Sequence, residues 1–379
     1  MKRPRQATGG RVEIFDLLAE HDYEDLVFFH DGSTGLRGLV AIHDTTLGPA
    51  LGGCRMYPYA SERDAVIDAL RLARGMTYKA AAAGLNLGGG KSVIIGDPRT
   101  DKSGELFRAF GRRLETLGGH YIASEDVGIS TDDIAYAALE TGHVVGRARE
   151  HGGSGDPAPF TALGVMQGIR ACLEEVYGSS SAEGRTVAVQ GLGHVGYRLC
   201  DLLHGEGARL IVADIDGTDV ARAVREFGAT PAGPDGISAT ECDVFAPCAM
   251  GAVVNDESIP RLRCSIIAGS ANNVLLEPRH GDELAERGIL YAPDYIINAG
   301  GLINVAGELE VYDEERVTKR VMEIRDSVEK IIALSRRDSV PPHAAADTLA
   351  EERISAALSA DWPRAGEPNI RVHGLRENP

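Results

Sequence analysis

The chain has 379 residues, 43% hydrophobic and 25% charged, a globular balance with room for two domains. Its formal net charge of -17 argues against non-specific binding to nucleic acid or an anionic membrane, and no apolar run reaches the length of a membrane span. Six scattered cysteines (Cys54, Cys172, Cys200, Cys242, Cys248, Cys264) form no C-x-x-C pair, which predicts free thiols in a reducing compartment and neither disulfides nor zinc.

Residues 1–11 read as a disordered tail, basic but with no apolar run behind it, so no signal peptide and a cytoplasmic location are expected. Helical spacing of Ile14, Leu17 and Leu18 predicts a helix over 12–21. Apolar stretches at 26–29, 39–42 and 50–56 read as strands, and Ser61 caps a helix running through Ala65, Leu70, Leu72 and Met76. After a glycine-rich turn, 92–96 reads as a buried strand, 104–117 as a helix, 121–124 as a strand and 131–139 as a helix. Turn chemistry at 150–157 marks a linker.

A helix at 161–176 then opens an alternation of strands (186–190, 209–214, 243–247, 265–269) with helices ending at His204 and spanning 219–227. Strands and helices alternating at this spacing predict a parallel, doubly wound sheet. Helical patterns return at 314–336 and from His343 to residue 360.

Gly191-Leu192-Gly193-His194-Val195-Gly196 is a G-x-G-x-x-G that follows an apolar strand and opens a helix. Glycines there permit a tight turn and close backbone approach to a pyrophosphate, which the helix N-terminus attracts. Asp214 stands 23 residues after Gly191 at the end of the next strand, placed to accept from a ribose 2′-hydroxyl and to repel a 2′-phosphate. NAD is therefore expected over NADP. The competing reading, a structural glycine turn in an unrelated α/β domain, does not account for strand, turn, helix and terminal Asp agreeing.

Gly84 to Ser92, with Gly88-Gly89-Gly90-Lys91 at its end, looks like a phosphate-binding P-loop but has Leu85 where that pattern needs glycine, and it runs from helix to strand. An NTPase is rejected. Arginine is the default cation here, with only six lysines (Lys2, Lys79, Lys91, Lys102, Lys319, Lys330). A lysine at a glycine-rich strand edge reads equally as a solvated amine or as one whose pKa is depressed from about 10.4 by apolar neighbours and by Lys79, making a general base.

The motifs Gly48-Pro49-Ala50-Leu51-Gly52-Gly53-Cys54-Arg55-Met56, Leu72-Ala73-Arg74-Gly75-Met76-Thr77-Tyr78-Lys79, Gly88-Gly89-Gly90-Lys91, Ser124-Glu125-Asp126-Val127-Gly128 and Asn298-Ala299-Gly300-Gly301 resemble the Glu/Leu/Phe/Val dehydrogenase family, most of all its leucine branch. The resemblance runs from about residue 13 to about residue 355.

It implies an N-terminal α/β substrate-binding and oligomerisation domain (1–147 with 341–379) and a Rossmann-type NAD-binding domain (148–340), with a cleft between them. Lys91 then matches the lysine that activates water, Asp126 the aspartate that exchanges a proton with the amino group, and Lys79 the lysine that holds the α-carboxylate. Gly52 and Gly53 shape the backbone pocket. Leu51, Met56, Ser124, Leu302 and Val305 are implied around the substrate. Asn273, Asn298 and Thr161 are implied near nicotinamide or substrate, with Cys248 and Ala249 on the cofactor side.

The implied reaction is reversible oxidative deamination of an L-amino acid to a 2-oxo acid and ammonia by a cytoplasmic homo-oligomer, a dimer or an octamer. Leu51 and Val305 stand where the glutamate branch uses a lysine and a serine, so a side-chain carboxylate would be buried without partners and is rejected. Ser124 and Leu302 are bulkier than the residues expected in the leucine branch, which favours branched-chain substrates, with phenylalanine as the alternative. A non-catalytic NAD-binding homologue would lack Lys91 or Asp126. A 2-hydroxy acid dehydrogenase would need a catalytic histidine motif, and a metal enzyme clustered ligands; neither is found in the sequence.

Overall fold

The computed structural model describes residues 13–249 and 251–359. The expected tail at 1–11 and the segment 360–379 lie outside the described residues. Backbone contacts divide the chain into two units. One takes the residues up to Thr77 together with Leu87–His143, and the other takes Tyr78–Asn86 and everything from Val144.

In the first unit α1 (Ile14–Glu20) leads into a hairpin of β1 (Asp25–Asp31) and β2 (Leu36–Asp44), turned by Gly35 at φ 75°. Then follow β3 (Ala50–Tyr57), α2 (Glu62–Ala82), β4 (Gly88–Ile95), α3 (Gly104–Glu115), β5 (Tyr121–Glu125) and α4 (Thr131–Ala138). The five strands lie in the order β1-β2-β4-β3-β5, with β3, β4 and β5 parallel and β2 antiparallel to β4. The cap read from sequence is present, Ser61 Oγ accepting from Asp64 N at 3.2 Å, and the structure adds a capping box of Ser130 with Asp133 on α4.

The start of β4 differs from the sequence reading. The glycine run belongs to the strand, and Lys91 lies inside β4 in the middle of the sheet, where the sequence placed it at a strand edge. Close packing is the reason. On α2, Ala65, Ala69 and Ala73 recur every four residues beside Val66 and Leu70, and this stripe buries against Leu39, Ala41 and Val93. So close is the approach that a Cβ on Gly89 would stand 2.0 Å from Thr77 N and 2.5 Å from Ala73 O. Glycine normally weakens a strand, but here it is what lets helix and strand backbones touch.

The second unit takes the end of α2 from Tyr78 and then α5 (Ala158–Tyr177) and β6 (Thr186–Gln190). It continues through α6 (His194–Gly205), β7 (Arg209–Ala213), α7 (Gly217–Phe227), β8 (Thr230–Pro231), β9 (Val244–Pro247) and β10 (Ile266–Ile267). The remaining elements are α8 (Arg279–Glu286), β11 (Leu290–Tyr291), α9 (Asp294–Ile297), α10 (Gly300–Ala306), α11 (Glu314–Met322), α12 (Ile324–Asp338) and α13 (Pro342–Ser359). All six strands are parallel, in the order β11-β10-β9-β6-β7-β8, the doubly wound arrangement expected. The order reverses between β6 and β9, and the glycine turn leaves β6 at that point.

Two boundaries depart from the sequence reading. The helix expected over 314–336 is broken after Met322 into α11 and α12. The segment from residue 341, expected with the N-terminal domain, has its helix α13 grouped in the second unit with Tyr78–Asn86. Arg353 on α13 explains this grouping: its guanidinium donates to Ala81 O (3.0 Å), Leu85 O (2.6 Å) and Asn86 Oδ1 (2.8 Å), while Tyr78 donates to Glu351 at 2.9 Å. The cation caps carbonyls left open at the end of α2. All six cysteines are free thiols, and among the described residues no helix is long and apolar enough to cross a membrane.

Candidate active site

The expected site residues fall into two groups, one in each unit. In the first unit Lys91 is 5% exposed, and its Nζ donates to Asp126 Oδ2 at 2.6 Å. Asp126 follows β5 in a turn held by two backbone bonds, Ile129 N to Asp126 O (2.9 Å) and Met56 N to Val127 O (3.0 Å). Arg55, on β3, donates to the same Oδ2 at 3.1 Å and to Asp68 at 2.8 Å. Burial favours the neutral acid of Asp126, but the charges of Lys91 and Arg55 outweigh it and hold its carboxyl below the ordinary value.

Glycines make room for this pair. A Cβ on Gly53 would lie 2.7 Å from Asp126 Cβ and 3.2 Å from Lys91 Nζ. One on Gly52 would lie 1.7 Å from Gly90 O. The Gly52 carbonyl is held by the Tyr121 hydroxyl, which donates to it at 2.7 Å and lies 2.9 Å from Ser92 Oγ. Leu51 and Met56 are fully buried, with Met56 Cε against Gly96, and Ser124 is half-buried opposite Gly53.

In the second unit Lys79 donates to Asn298 Oδ1 at 2.7 Å. Asn298 is 4% exposed and sits just after α9. Leu302 and Val305 lie nearby in sequence on α10 and are buried. Glycine again permits the contact: a Cβ on Gly300 would stand 2.0 Å from Phe160 O, and one on Gly301 2.7 Å from Thr161 Oγ1. Thr161 is thereby set beside the start of α10, its hydroxyl donating to Pro157 O at 3.0 Å. Asn273 is exposed, with φ 52°, in the loop after β10.

The glycine turn has the properties a dinucleotide requires. Gly191 has φ 97°, and a Cβ there would meet Ala249 Cβ at 2.6 Å. A Cβ on Gly196 would meet Gly191 O at 2.0 Å and Cys248 Cβ at 3.1 Å. Gly193, the N-cap of α6, has nothing within 4 Å of that position, so space lies open at the positive end of a 12-residue helix. His194 is exposed there, Val195 half-buried and Leu192 buried. Asp214 Oδ2 accepts from Leu192 N at 2.6 Å, so the acid that ends β7 also braces the turn.

Three residues of this framework were not singled out from the sequence. Arg55 stood in a quoted motif, but its partners are distant in the chain. Asn272 accepts from Asn298 Nδ2 at 2.8 Å, and nothing in the sequence marks it apart from its neighbour Asn273. Asp294 accepts from Val274 N (2.8 Å) and Tyr291 Oη (3.0 Å), and burial pushes its carboxyl above the ordinary value. A buried carboxylate in Pro-Asp-Tyr gives no local signal.

Comparison with known proteins identifies the family. A family model described as Glu/Leu/Phe/Val dehydrogenase, dimerisation domain, matches residues 24–143, and one described as Glutamate/Leucine/Phenylalanine/Valine dehydrogenase matches 152–223 and 221–361. The chain is 56% identical over 352 residues to the leucine dehydrogenase of Geobacillus stearothermophilus, covering 93% of this chain and 96% of that one. It is 47% identical over 348 residues to the phenylalanine dehydrogenase of Bacillus thermotolerans, covering 90% and 91%. The solved L-tryptophan dehydrogenase from Nostoc punctiforme matches with a TM-score of 0.81 at 44% identity, covering 91% of this chain and all of that one. The chain belongs to the Glu/Leu/Phe/Val dehydrogenase family of amino acid dehydrogenases.

Proposed function

We propose that the chain oxidises a branched-chain L-amino acid with NAD, reversibly, to the 2-oxo acid and ammonia, consuming one water. The observation that carries this reading is the Lys91–Asp126 pair, a buried amine 2.6 Å from a carboxylate in a space kept clear by Gly53. The open helix N-terminus at Gly193 suits the pyrophosphate, with Gly191, Gly196, Leu192, His194, Val195, Cys248 and Ala249 around the turn and Thr161, Asn273 and Asn298 toward the nicotinamide. Asp214 favours NAD, because its charge would repel a 2′-phosphate. The bound cofactor supplies a hydride acceptor for the substrate Cα.

The chain's own residues supply the rest. Lys79 holds the α-carboxylate as a point charge. Asp126 takes a proton from the amino group and later returns it to the leaving ammonia. Lys91 donates to Asp126 as an ammonium in the resting site, so it must first release that proton; as the free amine its Nζ accepts a proton from the water that adds to the imino carbon. Each unit offers apolar side chains suited to a branched substrate: Leu51 is buried in the first, with Met56 and Ser124 on the strands that carry Gly52 and its neighbours, and Leu302 and Val305 are buried in the second. The 56% identity to leucine dehydrogenases, against 47% to a phenylalanine dehydrogenase, supports the branched-chain ranking. A cytoplasmic homo-oligomer fits a family whose N-terminal model is a dimerisation domain.

The test is NADH formation with L-leucine, L-valine, L-isoleucine, L-phenylalanine and L-glutamate, each with NAD and with NADP. Higher kcat/KM for a branched-chain substrate with NAD is expected. Preference for phenylalanine would keep the chemistry and overturn the pocket reading. Inactivity with all five would overturn the function.

A further inference from the structure

Asn298 makes three hydrogen bonds, and chemistry fixes which end of its amide makes each. An ammonium only donates, so Lys79 must face Oδ1, as it does at 2.7 Å. Nδ2 is thereby aimed at two acceptors, Ser270 O at 3.2 Å and Asn272 Oδ1 at 2.8 Å. Flipping the amide would set donor against donor at Lys79 and acceptor against acceptor at Ser270 and Asn272. The segment 270–272 therefore decides that an oxygen, and not an NH2 group, meets Lys79.

That segment is itself clamped. Ala271 N donates to Pro247 O at 2.9 Å, and Asn273 O accepts from Ala252 N at 2.6 Å. Ala252 (φ 58°) and Asn273 (φ 52°) are both non-glycine residues in the left-handed region, a strain that persists only where the surroundings impose it. A Cβ on Gly251 would stand 2.5 Å from Asn272 O, so glycine is needed for the loop to sit this close. Asp294 takes the Val274 amide at 2.8 Å, and α9, which it opens, ends at Ile297, next to Asn298. One short helix thus anchors the loop at one end and carries the relaying amide at the other.

We propose that Asn272 is a positioning residue that acts through Asn298 to hold the Lys79 ammonium where it binds the substrate carboxylate. The proposal rests on the reading of Lys79 as the carboxylate-holding lysine. It couples the loop after β10 to substrate affinity through two side-chain amides.

Two measurements test it. Reductive methylation of the cofactor-free protein with formaldehyde and an amine borane, followed by peptide mapping, reads Lys79 without any need for activity. Asn272→Ala is expected to raise the Lys79 rate about threefold or more, against unchanged rates at the exposed Lys319 and Lys330. Asn272→Asp keeps an acceptor for Asn298 and is expected to retain the parent rate. In turnover, Asn272→Ala is expected to raise the amino acid KM about tenfold with kcat changed less than about threefold. Unchanged labelling of Lys79 overturns the proposal, and so does a fall in kcat at constant KM. A parent protein inactive toward every amino acid would sink the deamination reading and leave the labelling result to decide this one.

Discussion

Asp126 Oδ2 is shared by two cations, Lys91 at 2.6 Å and Arg55 at 3.1 Å, on neighbouring strands of the first sheet. Removing the carboxylate charge leaves a nearly buried ammonium without its counter-charge. Asp126→Asn is expected to lower kcat about a thousandfold, the scale of lost general acid–base catalysis. Stability should fall by about 2 kcal/mol, because a buried charge is left unpaired while Asp126 itself remains partly exposed. Steady-state kinetics and urea unfolding measure the two effects. Turnover within threefold of the parent would remove Asp126 from the mechanism.

Arg55 gives a pH test. Burial raises the Asp126 pKa, while Lys91 first and Arg55 second lower it, with a net downward shift. A carboxylate with a depressed folded pKa contributes stability above its unfolded pKa and loses it as pH falls through the folded pKa. In Arg55→Met one of the two lowering charges is gone, so the acid limb of kcat should move to higher pH and acid unfolding should begin at higher pH. The alkaline limb should move less. An acid limb that stays in place would show that Asp126 does not set it.

The cofactor turn separates fold from function within one motif. Gly191 has φ 97° and Ala249 against it, whereas Gly193 has φ -64° and open space. Gly191→Ala is therefore expected to destabilise by about 2 kcal/mol or more, through left-handed strain and a clash. Gly193→Ala should leave Tm within about 2 °C and weaken NADH binding at least tenfold, or about 1.4 kcal/mol, because its methyl fills space the pyrophosphate needs. Equal NADH affinity in Gly193→Ala and the parent would place the pyrophosphate elsewhere.

How far the sequence revealed this site depended on separation along the chain. The strand, turn, helix and Asp214 of the cofactor site lie within about 30 residues, and each carries a local signal. Lys91 and Asp126 are 35 residues apart, Arg55 and Asp126 are 71, and Lys79 and Asn298 are 219; only folding brings such pairs together. The glycine run before Lys91 misled for a different reason. Glycine ordinarily breaks strands, and its use here, letting α2 touch β4 at Thr77, is a tertiary requirement with no local signature.

Asp214 does two jobs, and separating them gives the last prediction. Its Oδ2 accepts from Leu192 N at 2.6 Å, which braces the glycine turn, and its Oδ1 accepts from Asp216 N at 2.9 Å. Asp214→Asn keeps an acceptor for one of these amides but removes the negative charge. The turn should hold, with Tm within about 2 °C of the parent, the span of roughly 1 kcal/mol in a protein of this size. NADP should gain because a 2′-phosphate no longer meets a carboxylate, and NAD should lose a charge-assisted hydrogen bond to its ribose. The ratio of kcat/KM for NAD to that for NADP is then expected to fall at least tenfold, by both routes at once. A stable Asp214→Asn protein whose ratio is unchanged would mean that Asp214 only braces the turn, and that the preference for NAD arises elsewhere in the second unit.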